Sequence, residues 1–102
     1  MKVVLSQTAA DYLAAERDHL ARFDRRGATR AMARIRAAMT MLASYPDAGA
    51  ATLPVAGLRR FMAPPYVLDY RVTGSVLYIV SIRHGRQNDP LIEQDEGDED
   101  YD

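Results

Sequence analysis

The stretch Tyr66-Val67-Leu68-Asp69-Tyr70-Arg71-Val72-Thr73, then Gly74-Ser75, then Val76-Leu77-Tyr78-Ile79-Val80-Ser81-Ile82-Arg83-His84 decides how this chain is read. Two runs rich in β-branched and aromatic residues flank a two-residue break. Glycine at the first position of that break supplies the positive φ of a type II′ turn, so the two runs form an antiparallel hairpin. In the register this turn sets, Tyr66, Leu68, Tyr70 and Val72 share a face with Leu77 and Ile79, and that face is expected to be core. The opposite, open face is expected to carry Val67, Asp69, Arg71 and Thr73 beside Tyr78, Val80, Ile82 and His84. A one-residue slip would exchange the faces.

Upstream of the hairpin, Leu58 to Met62 reads as another strand, set off by Pro64-Pro65. Residues 46–57, with Pro46, Asp47, Gly49, Pro54 and Gly57, read as a loop. Before that loop, Ala28, Ala31, Met32, Ile35, Ala38, Met39, Leu42 and Tyr45 recur at steps of three and four, the period of a helix that Pro46 ends. Arg25-Arg26-Gly27 is expected to separate it from a first helix over about 8–24. In that helix Ala9, Tyr12, Leu13, Leu20 and Phe23 form the apolar side, and Ser6 or Thr8 supplies the cap. Lys2 to Leu5 reads as a short strand. The predicted fold class is α+β: an N-terminal strand, an α-helical hairpin, then a three-stranded antiparallel meander, with both helices on one face of the sheet.

One domain accounts for 102 residues. The chain has no cysteine, which excludes a disulfide framework, a thiolate zinc site and a cysteine nucleophile. With only His19 and His84 beside this, neither a metal centre nor a cofactor is expected. No apolar run approaches the ~20 residues that span a bilayer. The segment Met1-Lys2-Val3-Val4-Leu5-Ser6 turns polar too early for a signal peptide, so a soluble, cytoplasmic protein without membrane association is expected.

The formal net charge of -1 conceals a split. Residues 1–88, read as the folded domain, hold 13 basic side chains against 6 acidic ones, or +7, whereas residues 89–102 hold 8 acids and no base, or -8. Twelve of the 13 bases are arginine, suited to bidentate contact with phosphate or carboxylate. The body is expected to meet nucleic acid or an acidic protein surface. The tail has too little apolar material to bury and is expected to be disordered, either as a solubilising segment or as an acidic cover for the basic body.

The ordered set of motifs resembles the RelE/ParE superfamily of type II toxin-antitoxin toxins, and the ParE branch more than the RelE branch. The matching pieces are Leu5-Ser6 followed by Ala9, Asp11 and Leu13; Leu42-Ala43-Ser44-Tyr45-Pro46-Asp47-Ala48-Gly49; Gly57-Leu58-Arg59-Arg60; Pro65-Tyr66-Val67-Leu68-Asp69-Tyr70-Arg71-Val72; and Val80-Ser81-Ile82-Arg83-His84-Gly85-Arg86. The resemblance implies a small cationic toxin held inactive by a cognate antitoxin, in a toxin-antitoxin hetero-oligomer. ParE-like members are associated with inhibition of DNA gyrase by binding, and RelE-like members cut mRNA in the ribosomal A site. The nuclease pattern places an arginine after the tyrosine that opens the strand at Tyr66, and a tyrosine or histidine pair near the C-terminus. Here Val67 follows Tyr66, and Gly85 to Leu91 contains no tyrosine, which favours gyrase over the ribosome and a binding inhibitor over an enzyme.

The residues expected to meet the target are Arg59, Arg60, Arg71, Arg83, His84 and Arg86, with Arg60 and His84 as the catalytic candidates if the chain is a nuclease. At most one of Arg59 and Arg60 can lie on the open face. Tyr12, Leu20, Phe23, Met32, Met39 and Arg71 are the candidates for antitoxin contact. Arg26, Arg30 and Arg34 are expected on the solvent side of the second helix. A non-toxic DNA-binding module remains the reading from another class.

Overall fold

The computed structural model describes residues 1–51 and 54–85. Its elements run β1 (Lys2–Leu5), α1 (Gln7–Ala21), α2 (Arg25–Ser44), β2 (Arg59–Ala63), β3 (Tyr66–Thr73) and β4 (Val76–His84). The strands form one sheet in the order β1-β4-β3-β2. The last three make the antiparallel meander, and β1 joins β4 in parallel. Both helices lie against one face, where Ile35, Ala38 and Leu42 meet Leu68, Tyr70, Leu77 and Ile79 in a continuous core. The acidic tail and Arg86 lie outside the described residues.

Local chemistry explains where elements begin and end. Ser6 caps α1, its hydroxyl accepting the Ala9 backbone N–H at 3.0 Å. The first helix stops earlier than its periodicity suggests because Asp24 starts the second, its carboxylate accepting the Arg26 N–H at 3.1 Å. Arg25, Arg26 and Gly27 are therefore the first turn of α2 and not a break. The loop after α2 is fixed by Tyr70, whose buried hydroxyl donates to the Pro46 carbonyl at 2.6 Å and accepts the Gly49 N–H at 2.9 Å. A Cβ on Gly49 would lie 2.7 Å from the Tyr70 ring, so only glycine fits that approach. The β3–β4 turn has Gly74 at φ 60° and no positive φ at Ser75, the II′ pattern.

The register holds from the turn to Tyr70 opposite Ile79 and then shifts: Asp69 faces Ser81, so Val80 is an extra residue, a β-bulge. The bulge corrects the expected faces. Leu68 now pairs with Ile82 and Tyr66 with His84, which turns Ile82 and His84 toward the helices instead of the open face. The bulge is held at α1's cap, where the Ser6 hydroxyl donates to the Val80 carbonyl at 2.7 Å and the Ser6 N–H donates to Ile79 at 2.9 Å.

Candidate functional site

On the face away from the helices, the residue at the centre is an acid. Asp69 is 1 % exposed. Arg60, opposite it on β2, grips it with Nε to Oδ1 at 2.8 Å and Nη2 to Oδ2 at 3.3 Å. From β4, Arg83 donates Nη1 to Oδ2 at 3.4 Å and the Ser81 hydroxyl donates to the same oxygen at 3.2 Å. Four donors from two flanking strands replace the water this carboxylate loses, which is the condition for burying a charge. Among the described residues, two guanidiniums from flanking strands share this one carboxylate. Further along the face the Arg71 guanidinium lies 5.2 Å from the centre of the Tyr78 ring, a cation–π contact, with its side chain exposed.

The expected target residues thus divide. Arg60, Arg71 and Arg83 gather on the open face. Arg59 points to the other side, as strand alternation requires, where it donates to the Gly49 carbonyl and pairs with Asp47 at 3.6 Å. His84 lies on the helix side. Asp69, which organises the open face, was missed by residue-type reasoning, although an isolated acid within the apolar run Tyr66–Val72 is a signal that a buried partner is needed.

A second constellation lies on the helix side, around a groove of about 610 Å³ whose lining includes Tyr12, Glu16, Arg34, Tyr66 and His84. Tyr66 donates its hydroxyl to Glu16 Oε2 at 2.7 Å, and its ring meets the His84 ring edge-on at 5.8 Å between centroids. The Tyr12 hydroxyl is buried beside Glu16 and the His84 backbone. Burial first, and then the Glu16 charge, push the Tyr12 phenol up to about 12, with the His84 backbone opposing. The Tyr66 phenol is raised further, by burial and by its bond to Glu16. Both phenols therefore act as neutral hydroxyls at physiological pH.

The antitoxin-contact candidates are scattered over the helical side. Phe23 is 78 % exposed at the end of the first helix, where its ring packs edge-on against His19. Tyr12, Leu20, Met32 and Met39 are half-buried and pack against the core, and Arg71 stands apart on the open face. Arg26, Arg30 and Arg34 are exposed, as their spacing predicts.

The chain is thus an α+β protein with a helical hairpin on one face of a four-stranded sheet and an arginine-bearing open face on the other. The chain belongs to the family described as the ParE toxin of the type II toxin-antitoxin system, parDE, which it matches over residues 3–89. It is 38 % identical over 84 residues to a protein of Caulobacter vibrioides named Toxin RelE2, across 81 % of this chain and 93 % of that one. Its fold is similar to a chain of the chromosomal ParDE toxin-antitoxin system of P. aeruginosa, with a TM-score of 0.70 at 25 % identity, covering 82 % of this chain and 95 % of the other. The expected family and fold are borne out, and a toxin-antitoxin family implies a cognate antitoxin as partner.

Proposed function

We propose that this chain is a cytoplasmic toxin that a cognate antitoxin neutralises by direct binding, and that it arrests growth by binding DNA gyrase without hydrolytic chemistry of its own. The observation that carries the choice of target is the position of His84. Cleavage of RNA through its 2′-hydroxyl needs a proton acceptor beside the cations that stabilise the phosphorane. The bulge at Val80 turns His84 to the helix side of the sheet, away from Arg60 and Arg83 on the open face. Those two guanidiniums are joined to a buried carboxylate, and the exposed Arg71 guanidinium on the same face supplies its accessible positive charge. Such a surface suits docking onto an anionic target.

No helix among the described residues is long and apolar enough to cross a membrane. Induction of the chain without its antitoxin is expected to stop growth, and purified protein to inhibit gyrase supercoiling while leaving ribosome-bound mRNA intact. Ribosome-dependent mRNA cleavage with unaffected supercoiling would replace the gyrase reading by the nuclease one. Absence of any growth arrest would remove toxin function altogether and leave the non-toxic binding module.

A further inference from the structure

Seven of the twelve arginines lie between Arg17 and Arg36, on the helical hairpin and not on the sheet. Two of these are in ion pairs, Arg17 with Asp18 at 3.2 Å and Arg30 with Asp24 at 3.6 Å. Among the described residues, Arg25, Arg26 and Arg36 form no ion pair, and all three are exposed. Arg25 and Arg36 stand about three turns apart on nearly the same stripe of α2, some 16 Å along its axis, at about 1.5 Å per residue. Between them the surface is low: a depression of about 330 Å³ is rimmed by Arg17, Arg25 and Arg36 and floored by Ala21, Ala28 and Met32. Around the corner, Arg26 and Arg30 line a second depression with Arg25 and Thr29.

We infer that this outer face of the hairpin, centred on Arg25, Arg26 and Arg36, binds the phosphate backbone of duplex nucleic acid. Over the roughly 16 Å between Arg25 and Arg36, duplex DNA presents roughly nine or ten phosphate charges, so these two unpaired guanidiniums, with Arg26 around the corner, each find an anion within reach. The Ala21 and Ala28 floor of the first depression admits close approach without a pocket for a large side chain. No aromatic ring lines either depression, so the face offers phosphate contact and no base readout. An acidic protein helix would need a deeper apolar seat for its own hydrophobic stripe. This site is separate from the proposed gyrase-binding face and does not depend on it. A protein with a net charge of -1 has no overall attraction for DNA, so any binding must come from a local field such as this one.

The test is fluorescence anisotropy of a labelled DNA duplex of about 20 base pairs, titrated with the full-length protein over a series of salt concentrations. The expected result is sequence-independent binding at low salt that weakens steeply with salt. The combined change Arg25→Gln, Arg26→Gln and Arg36→Gln is expected to weaken binding at least about tenfold and to lower the log–log salt slope by about 2–3, whereas lysine at the same three positions should keep most of both. Unchanged circular dichroism and thermal midpoint establish that the glutamine variant is folded. Three outcomes overturn the inference: no duplex binding at low salt, binding unaffected by the glutamine changes, or equally tight arginine-dependent binding of a labelled Asp/Glu-rich peptide, which assigns the face to an acidic protein instead. Arginine-dependent duplex binding by a parent protein that does not inhibit gyrase would count against the proposed function alone.

Discussion

The arginines of the sheet and the arginines of the helical hairpin are the same residue put to opposite uses. On the sheet each has a partner: Arg60 and Arg83 share Asp69, Arg59 ties down the Gly49 carbonyl and Asp47, and Arg71 lies over Tyr78. On the hairpin Arg25, Arg26 and Arg36 extend into solvent beside the two exposed pairs Arg17–Asp18 and Arg30–Asp24. The difference teaches that a count of positive charge does not locate a binding surface. A guanidinium held at 2.8 Å by a buried carboxylate is part of the architecture. Exposed ones contribute little to folding and leave their charge available to a partner.

That contrast breaks most visibly at Asp69. Asp69→Ala leaves two largely buried guanidiniums without their shared counter-charge and is expected to cost about 3–5 kcal/mol in urea unfolding. A loss below about 1 kcal/mol would mean that the sheet arginines are as independent as those on the hairpin. Tyr70→Phe removes the hydroxyl that both donates to Pro46 and accepts from Gly49, and an expected loss of about 1–3 kcal/mol measures how firmly the loop beside Arg59 is held. Ser6→Ala deletes the α1 cap and the donor to the Val80 carbonyl, with an expected loss of about 1–2 kcal/mol by the same method.

Alkaline titration gives a gentler effect. Because folding raises the Tyr12 phenol from 10.0 to about 12, it favours the neutral form. Its contribution to stability is complete below pH 10 and is lost as pH climbs toward 12. Thermal midpoints of Tyr12→Phe followed across that window should decline less than those of the parent; parallel declines would remove Tyr12 as the cause. The smallest effect belongs to the hairpin, where Arg25→Gln, Arg26→Gln or Arg36→Gln should each change stability by no more than about 0.5 kcal/mol.

Much of this division could be read in the sequence, and the remainder fails for definite reasons. The α2 stripe from Ala28 to Leu42, the Gly74-Ser75 turn and the Ser6 cap depend on neighbours within a few residues, and all appear where local chemistry puts them. The bulge at Val80 does not, because Val76 to Ile82 is almost uniformly apolar and alternation cannot mark where one residue is inserted. Its consequence is large, since it moves Ile82 and His84 to the other face. The pairing of Glu16 with Tyr66 joins residues 50 apart, and only the packing of α1 over β4, beside the start of β3, brings them together. Arg25-Arg26-Gly27 reads as a helix break, yet the Asp24 cap starts α2 before it. For the arginines, strand alternation separates Arg59 from Arg60, but whether either has a counter-charge is a tertiary fact.

The most direct test of held against free arginines is the proton–nitrogen NMR spectrum of the guanidinium Nε–H groups at neutral pH. The Nε–H of Arg60, donated to Asp69 at 2.8 Å, should give a persistent, shifted signal with slow solvent exchange, whereas those of Arg25, Arg26 and Arg36 should exchange fast and cluster at the position of free arginine. A rapidly exchanging Arg60, or hairpin signals as protected as that of Arg60, would contradict the account.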